Sequence, residues 1–273
     1  MKRSRLMTLI KHLICIILSL IVLLPFYMVL INSFKTKGEA ARMSLAFPTT
    51  WQFSNYSMVI EQGKLIQGFL NSTLYASVST LIAVLGCAMA AFVLSRKRTK
   101  INNGLFYFIL TGLFFPINYV TLSKFMQIIH VANTRLGLIL VFTGSMIPFC
   151  IFVIRNFIVT VPVELDEAAV IDGSNSLILF FKIILPLLKP ILVTAMILQF
   201  MGVWNDFMTP LYLTSKSNMW PMNLAIYSFF GKESSYWNYV FADIVLNVIP
   251  VVAVYLLGQR YIIGGLTSGA VKE

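Results

Sequence analysis

The sequence predicts an all-α integral membrane protein of six transmembrane helices. Of 273 residues, 58% are hydrophobic and only 11% are charged, with a mean hydropathy of +0.84. A water-soluble chain of this length has no core large enough to hide that much apolar surface, so the bilayer is its natural solvent. Six stretches also approach the roughly 20 apolar residues needed to cross about 30 Å of hydrocarbon. Finally, most of the charged residues lie between those stretches rather than within them.

In chain order the expected spans are about Leu13–Ile31, Leu70–Leu94, Leu105–Leu122, Leu136–Ile154, Leu188–Phe207 and Phe241–Leu257, the third and sixth being the shortest. The opening MKRSR before an apolar run has the outline of a signal peptide. The run is long for one, however, and no small-x-small cleavage site follows, so it is read as the first span. Pro25, Pro148 and Pro250 fall inside spans, where neighbours can satisfy the freed carbonyls. In the second span Ala83, Cys87 and Ala91, and likewise Gly86 and Ala90, recur every four residues and let another helix approach closely. Cys15, Cys87 and Cys150 sit in apolar runs without CxxC spacing, and His12 and His130 are isolated, so neither a disulfide framework nor a metal site is expected.

Orientation follows from the basic residues. Lys2, Arg3, Arg5 and Lys11 precede the first span, and Arg96, Lys97, Arg98 and Lys100 fill the second connection. The positive-inside bias puts both on the cytoplasmic side. Alternation then places residues 155–187 and the tail there too, with both termini cytoplasmic. The net charge of +11 is spread along the chain, which fits topology signals and contact with anionic membrane lipid better than nucleic acid.

The connection after the fourth span reads "VELDEAAVIDG" and holds Glu164, Asp166, Glu167 and Asp172, four of the chain's ten acidic residues. An Asp at a span's centre costs about 2.5–3.5 kcal/mol, so four acids would cost on the order of 10 kcal/mol in hydrocarbon. The stretch must therefore leave the membrane. Pro162 suits the first turn of a helix. Glu164, Asp166 and Glu167 favour the positive end of its dipole. Leu165, Ala168, Ala169 and Asp172 follow helical spacing, and Gly173 is the expected C′ stop. Ser174 is expected to cap a second helix through "LILFFKIILP", ended near Pro186. From these residues alone the segment is either a solvated loop helix or a helix whose flat alanine flank docks into a partner.

The same stretch resembles the EAA loop of ATP-binding-cassette importer permeases. Glu167, Ala168 and Ala169 match its Glu-Ala-Ala, Asp172 and Gly173 its Asp-Gly, and Ile183 or Ile184, Leu185 and Pro186 its later Ile-x-Leu-Pro. The likeness extends to "NSF" after the first span, "WQFSNY" (Trp51 to Tyr56) and "WNDF" (Trp204 to Phe207). The tail "GQRYIIGGLTSGAVKE" is similar to the carbohydrate-uptake, maltose-type subfamily, and the chain looks like its shorter, second permease. The resemblance runs from about residue 10 to the end.

That resemblance implies a single permease domain over 1–273, with a core of about 68–260 and a coupling loop of about 160–187. Its coupling helix, between spans 4 and 5, would seat on an ATP-binding subunit through Glu164, Leu165, Glu167, Ala168, Ala169, Asp172 and Gly173. Pro186 and Pro190 would pass the motion to the fifth span. It further implies import of a sugar or oligosaccharide by alternating access across a bacterial inner (cytoplasmic) membrane. The implied partners are a second permease in a heterodimer, two copies of a cytoplasmic ATPase and an extracytoplasmic solute-binding protein. No GxxxxGK[ST] loop occurs, since the Gly-Lys pairs at 63–64 and 231–232 lack the rest of the pattern. No cofactor and no catalytic residue is therefore expected in this chain, with ATP and Mg assigned to the partner ATPase.

For the substrate path, Asn71, Asn118, Asn205 and Asn247 lie in or near spans, and Asp206 and Asp243 lie near the ends of the fifth and sixth. Such residues either contact a ligand or bond helix to helix. The alternative of a secondary, ion-coupled transporter calls for acids inside spans, whereas most acids here fall in loops. GxSxG and HExxH enzyme motifs are absent.

Overall fold

The computed structural model describes residues 2–97, 99–230 and 235–268. Arg98, Lys232 of the second Gly-Lys pair and the tail from 269 lie outside the described residues, as do the side chains of Lys2, Arg3 and Arg5. The elements in order are α1 (Lys2–Asn32), α2 (Lys37–Ala40), α3 (Ser54–Gln62), α4 (Leu65–Arg96), α5 (Lys100–Thr111), α6 (Tyr119–Ile128) and α7 (Arg135–Ile158). There follow α8 (Glu164–Ile171), α9 (Ser176–Ile178), a π-helical stretch Leu179–Ile184, α10 (Leu185–Leu187), α11 (Lys189–Asn205) and α12 (Met208–Leu213). Two 3₁₀ stretches, Ser217–Met219 and Met222–Phe229, lead to α13 (Trp237–Ser268). One isolated bridge, Phe230 with Ser235, is the extent of β pairing among the described residues.

Among the described residues, four helices are long and apolar enough to cross a membrane: Ile10–Asn32 of α1, α4, α7, and Trp237–Tyr261 of α13. A fifth crossing is available if Ser176–Leu187 and Lys189–Asn205, which meet at 75°, count as one bent span. Pro25, Pro148 and Pro250 lie inside α1, α7 and α13 as expected.

The third expected span is where the structure departs from the sequence reading. Leu105–Leu122 is not one helix. α5 stops at Thr111, and α6 starts after Asn118, whose side chain accepts from the Thr121 N–H at 3.0 Å. Pro116 accounts for the gap, because the residue before a proline is driven out of the α region, and Asn118 is a strong N-cap. Helices of 12 and 10 residues reach only about 18 and 15 Å, each well short of the hydrocarbon thickness.

The chain divides into two compact units, Met1–Ile66 with Ala225–Ile249, and Gln67–Leu224 with Pro250–Glu273. In the first unit, the "NSF" and "WQFSNY" segments form one knot. The Asn55 amide donates to the Ser33 and Lys35 carbonyls at 2.8 and 3.0 Å, and accepts from Asn238 Nδ2 at 2.8 Å. Ser33 Oγ and the Tyr56 hydroxyl share a bond of 2.7 Å, and Phe34 packs among Trp51, Phe53 and Tyr56. Lys35 is fully buried, with Nζ donating to Asn32 Oδ1 and to the carbonyl and hydroxyl of Ser44, and burial pushes its pKa down. Glu39 closes a capping box with Thr36 and accepts from Thr49, and these bonds hold its carboxyl at about 2.

In the second unit, α4 turns Tyr75, Ala76, Ala83, Val84, Cys87, Ala88 and Ala91 inward. The Ala83–Cys87–Ala91 stripe is thus used within the unit. Its companion is not, since Gly86 is exposed and a Cβ there would meet nothing within 4 Å. The glycine at 258 does carry a close approach, because a Cβ there would fall 2.6 Å from Ile197 Cδ1.

Candidate functional site

The acidic stretch folds as α8, with Glu164, Asp166 and Glu167 all in its first turn. Its N-cap is Val163, so Pro162 stands just ahead of the helix rather than in the first turn. At the other end Gly173 has φ +81°. The Ser174 N–H donates to the Ala169 carbonyl at 2.9 Å and the Gly173 N–H to Val170 at 3.0 Å. This pair of bonds is a Schellman motif, and it needs the left-handed residue that glycine supplies without strain. Asn175 instead of Ser174 caps the next helix, its Oδ1 accepting from the Ile178 N–H at 2.8 Å. That helix runs through the π-helical turn to Leu187, one residue past Pro186, and Pro190 sits in the first turn of α11.

α8 has two faces. Glu164, Leu165, Glu167, Ala168 and Asp172 are exposed, with Gly173 beside them, and so are Val170 and Ile171. Asp166 and Ala169 are buried. Ala169, expected at the outward contact, therefore packs against its own chain. The spacing explains this, since residues three apart share one helix face.

Asp166 meets a partner that sequence reasoning missed. Arg96, the last residue of α4, donates from Nε to Asp166 Oδ2 at 2.6 Å and from Nη2 to Oδ1 at 3.3 Å. The same Nη2 reaches the Val161 and Pro162 carbonyls at 3.1 and 3.5 Å. Both side chains are mostly shielded, at 14% and 13% exposure. In the sequence Arg96 reads as one of four topology charges. The usable signal was Asp166, an acid on the same helix face as a small apolar residue.

Of the substrate-path residues, Asn118 and Asp206 stand at the starts of elements that meet, α6 and α12, where Tyr119 stacks on Tyr212 and shares a 3.4 Å bond with Thr209. Asn71 is buried on α4 and donates to the Asn218 and Trp220 carbonyls at 3.0 and 2.9 Å. Gln67, Ser72 and Tyr75 bond the same loop at Asn218, Met222 and Met219, so this end of α4 is a loop anchor. Asn118 caps α6. Asp206, the C-cap of α11, stands one residue ahead of the α12 N-cap Phe207 and accepts from the Thr209 N–H at 2.9 Å and its hydroxyl at 2.6 Å. Asn205 is exposed at the end of α11. Asn247 belongs to the first unit and donates to the carbonyl and Oδ2 of Asp243, a buried acid whose Oδ1 has no partner among the described residues.

A family model described as a binding-protein-dependent transport system inner membrane component matches residues 4–263. The chain belongs to this family. Among its relatives is the diacetylchitobiose uptake system permease protein NgcG of Streptomyces coelicolor, 32% identical, with 96% of this chain and 88% of that protein covered. The melibiose/raffinose/stachyose import permease protein MelC of Bacillus subtilis is also 32% identical, over 91% of each chain. So is the multiple sugar-binding transport system permease protein MsmG of Streptococcus mutans, over 96% of each. A solved bacterial ABC transporter involved in import of the acidic polysaccharide alginate superposes with a TM-score of 0.83 at 22% identity, covering 96% of this chain and 98% of that one. The methionine transporter MetNI superposes with 0.54 at 17% identity, covering 74% and 95%. These two likenesses show that the chain has the fold of an ABC importer permease. The family is one of transport permeases and not of enzymes.

Proposed function

We propose that this chain is the membrane-spanning permease subunit of an ATP-binding-cassette importer that brings a sugar or oligosaccharide into the cytoplasm. The observation that carries this reading is the set of sugar-uptake permeases at 32% identity, each matched over at least 91% of this chain. α8 supports it independently as a coupling helix. It is a short helix with an acidic and apolar outer face, ended by a tight glycine turn and held from behind by Arg96. ATP and Mg fall to two copies of a separate ATPase subunit, and a solute-binding protein delivers the sugar. A second permease completes a heterodimer. The ion-coupled alternative finds no support, since the family depends on a binding protein and α8 carries its acids in an eight-residue helix too short to span.

The chain is read as one permease domain with six crossings. The α5–α6 pair forms a broken third and the bent Ser176–Asn205 pair the fifth. Both termini face the cytoplasm of a bacterial cell. Lys100 is exposed, at the start of α5. With the exposed Cys15 changed to Ser, Lys100→Cys should label with a membrane-impermeant thiol reagent only from the cytoplasmic side. Labelling from outside in intact cells reverses the orientation.

Of the substrate-path residues, Asn118 and Asn205 are exposed, and because Asn118 already caps α6 the sugar contact is assigned first to Asn205. Asn71, Asn118, Asp206 and Asn247 follow, as groups already bonded within the chain. The test of the function is reconstitution. Vesicles holding this chain with a partner permease and ATPase should take up sugar when ATP and loaded binding protein are supplied. Sugar uptake by this chain alone, without ATP, overturns the proposal.

A further inference from the structure

α8 is eight residues long, and an isolated helix of that length does not hold itself in place. Its link onward to α11 is irregular. After Gly173 and Asn175 comes a π-helical stretch, Leu179–Ile184, and then the 75° bend into α11. Helices with i→i+5 bonding are rare and mark functional positions. A load placed on the outer face of α8 therefore reaches α11 only through a turn, an irregular helix and a bend.

The stiff path runs elsewhere. Arg96 ends α4, which is 32 residues long and long enough to cross the membrane. Its guanidinium makes both bonds of a fork to Asp166 and adds two carbonyls of the segment entering α8. A planar fork fixes direction as well as distance, which a lysine ammonium does not. The pair lies largely out of solvent, so salt and water weaken it little. We infer that Arg96 is a positioning residue that makes α8 and α4 move as one piece, so that closure of the ATPase acts on the second span directly. This inference rests on the reading of α8 as the ATPase contact.

The test uses the full complex in vesicles with loaded binding protein. Three quantities are read: ATPase subunit retained per permease, stimulation of hydrolysis by the binding protein, and sugar imported per ATP. Arg96→Ala and Asp166→Asn should retain the ATPase yet lose roughly fivefold in stimulation and in sugar per ATP, within the range for residues that carry coupling. The double variant should be no worse than either single one, because both remove the same link. Arg96→Lys keeps the charge and loses the fork, and at equal amounts of complex it should fall between wild type and Arg96→Ala. It carries the test if Arg96→Ala lowers the yield. Sugar per ATP unchanged in Arg96→Lys and Asp166→Asn, or a deficit that only tracks lost complex, overturns the inference. Gly173→Val separates the two levels. If it too leaves stimulation unchanged, the reading of α8 has failed. If it uncouples while the Arg96 and Asp166 variants do not, the failure belongs to Arg96 alone.

Discussion

In the assembled importer, Gly173→Val is expected to cut binding-protein-stimulated ATP hydrolysis and sugar uptake by roughly tenfold or more, as a coupling loss of about 1.4 kcal/mol would. Membrane insertion and pairing with the second permease should survive. Gly173 has φ +81°, and a Cβ there would meet nothing within 4 Å, so the strain is confined to the backbone. For an L-residue the left-handed conformation costs roughly 1–2 kcal/mol, and β-branching makes it worse. The chain relieves that strain by opening the turn, which gives up the bonds from Ser174 to Ala169 and from Gly173 to Val170. The exposed end of α8 then frays where the ATPase would seat. Gly173→Asn is the control, because asparagine tolerates this conformation and should keep most activity. Glu167→Ala removes one exposed carboxylate without forcing the backbone, so it should act in the same direction and more mildly. Full stimulation and uptake in both Gly173→Val and Glu167→Ala would reduce α8 to a solvated loop helix.

The second large effect is expected on stability. Gly137, in the first turn of α7, leaves no room for a methyl group. A Cβ there would lie 2.2 Å from the Val131 carbonyl oxygen and 2.6 Å from Met126 Cε. The methionine end can swing, but the carbonyl belongs to a tight turn. The Val131 and Ala132 N–H groups both donate to Met126, and His130 and Asn133 already sit at φ 58° and 56°. Gly137→Ala should therefore destabilise by about 1–3 kcal/mol, the range for overpacked interiors. The readout is a lower thermal midpoint of the solubilised protein. Gly144, on the same helix, has open space around it, so Gly144→Ala should leave the midpoint level or raise it through better helix propensity. Equal midpoints for Gly137→Ala and the parent would show that the α6–α7 turn yields more freely than its bonding indicates.

The long spans and α8 were legible because they rest on local signals: unbroken apolar runs, acids near a helix start, and a glycine at its end. Even the positive φ of Gly173 followed from position. The break in the third span had local signals too, in Pro116 and Asn118, but a reading based on hydropathy passes over them. A proline in an apolar run looks like a tolerated kink until a capping residue follows it. The roles of Arg96 and Asn71 were not legible for a different reason. Arg96 joins an aspartate 70 residues away, which no periodicity encodes. Asn71 donates to backbone carbonyls 147 and 149 residues away, and a carbonyl oxygen is the same whatever residue carries it. The inward turn of Ala169 was legible in spacing, yet its match to a contact motif assigned it outward.

The knot around Asn55 also sets a schedule for making the protein. Its amide closes on Asn238, 183 residues later in the chain. At translation rates of 5–20 residues per second, about 10–40 s pass between the appearance of the two halves. Throughout that interval Ser33, Lys35 and Asn55 are already made, while the start of α13 that completes their unit is not. The earliest-made unit is therefore among the last to close, and a ribosome stalled before Asn238 would leave the first span made with this knot unfinished.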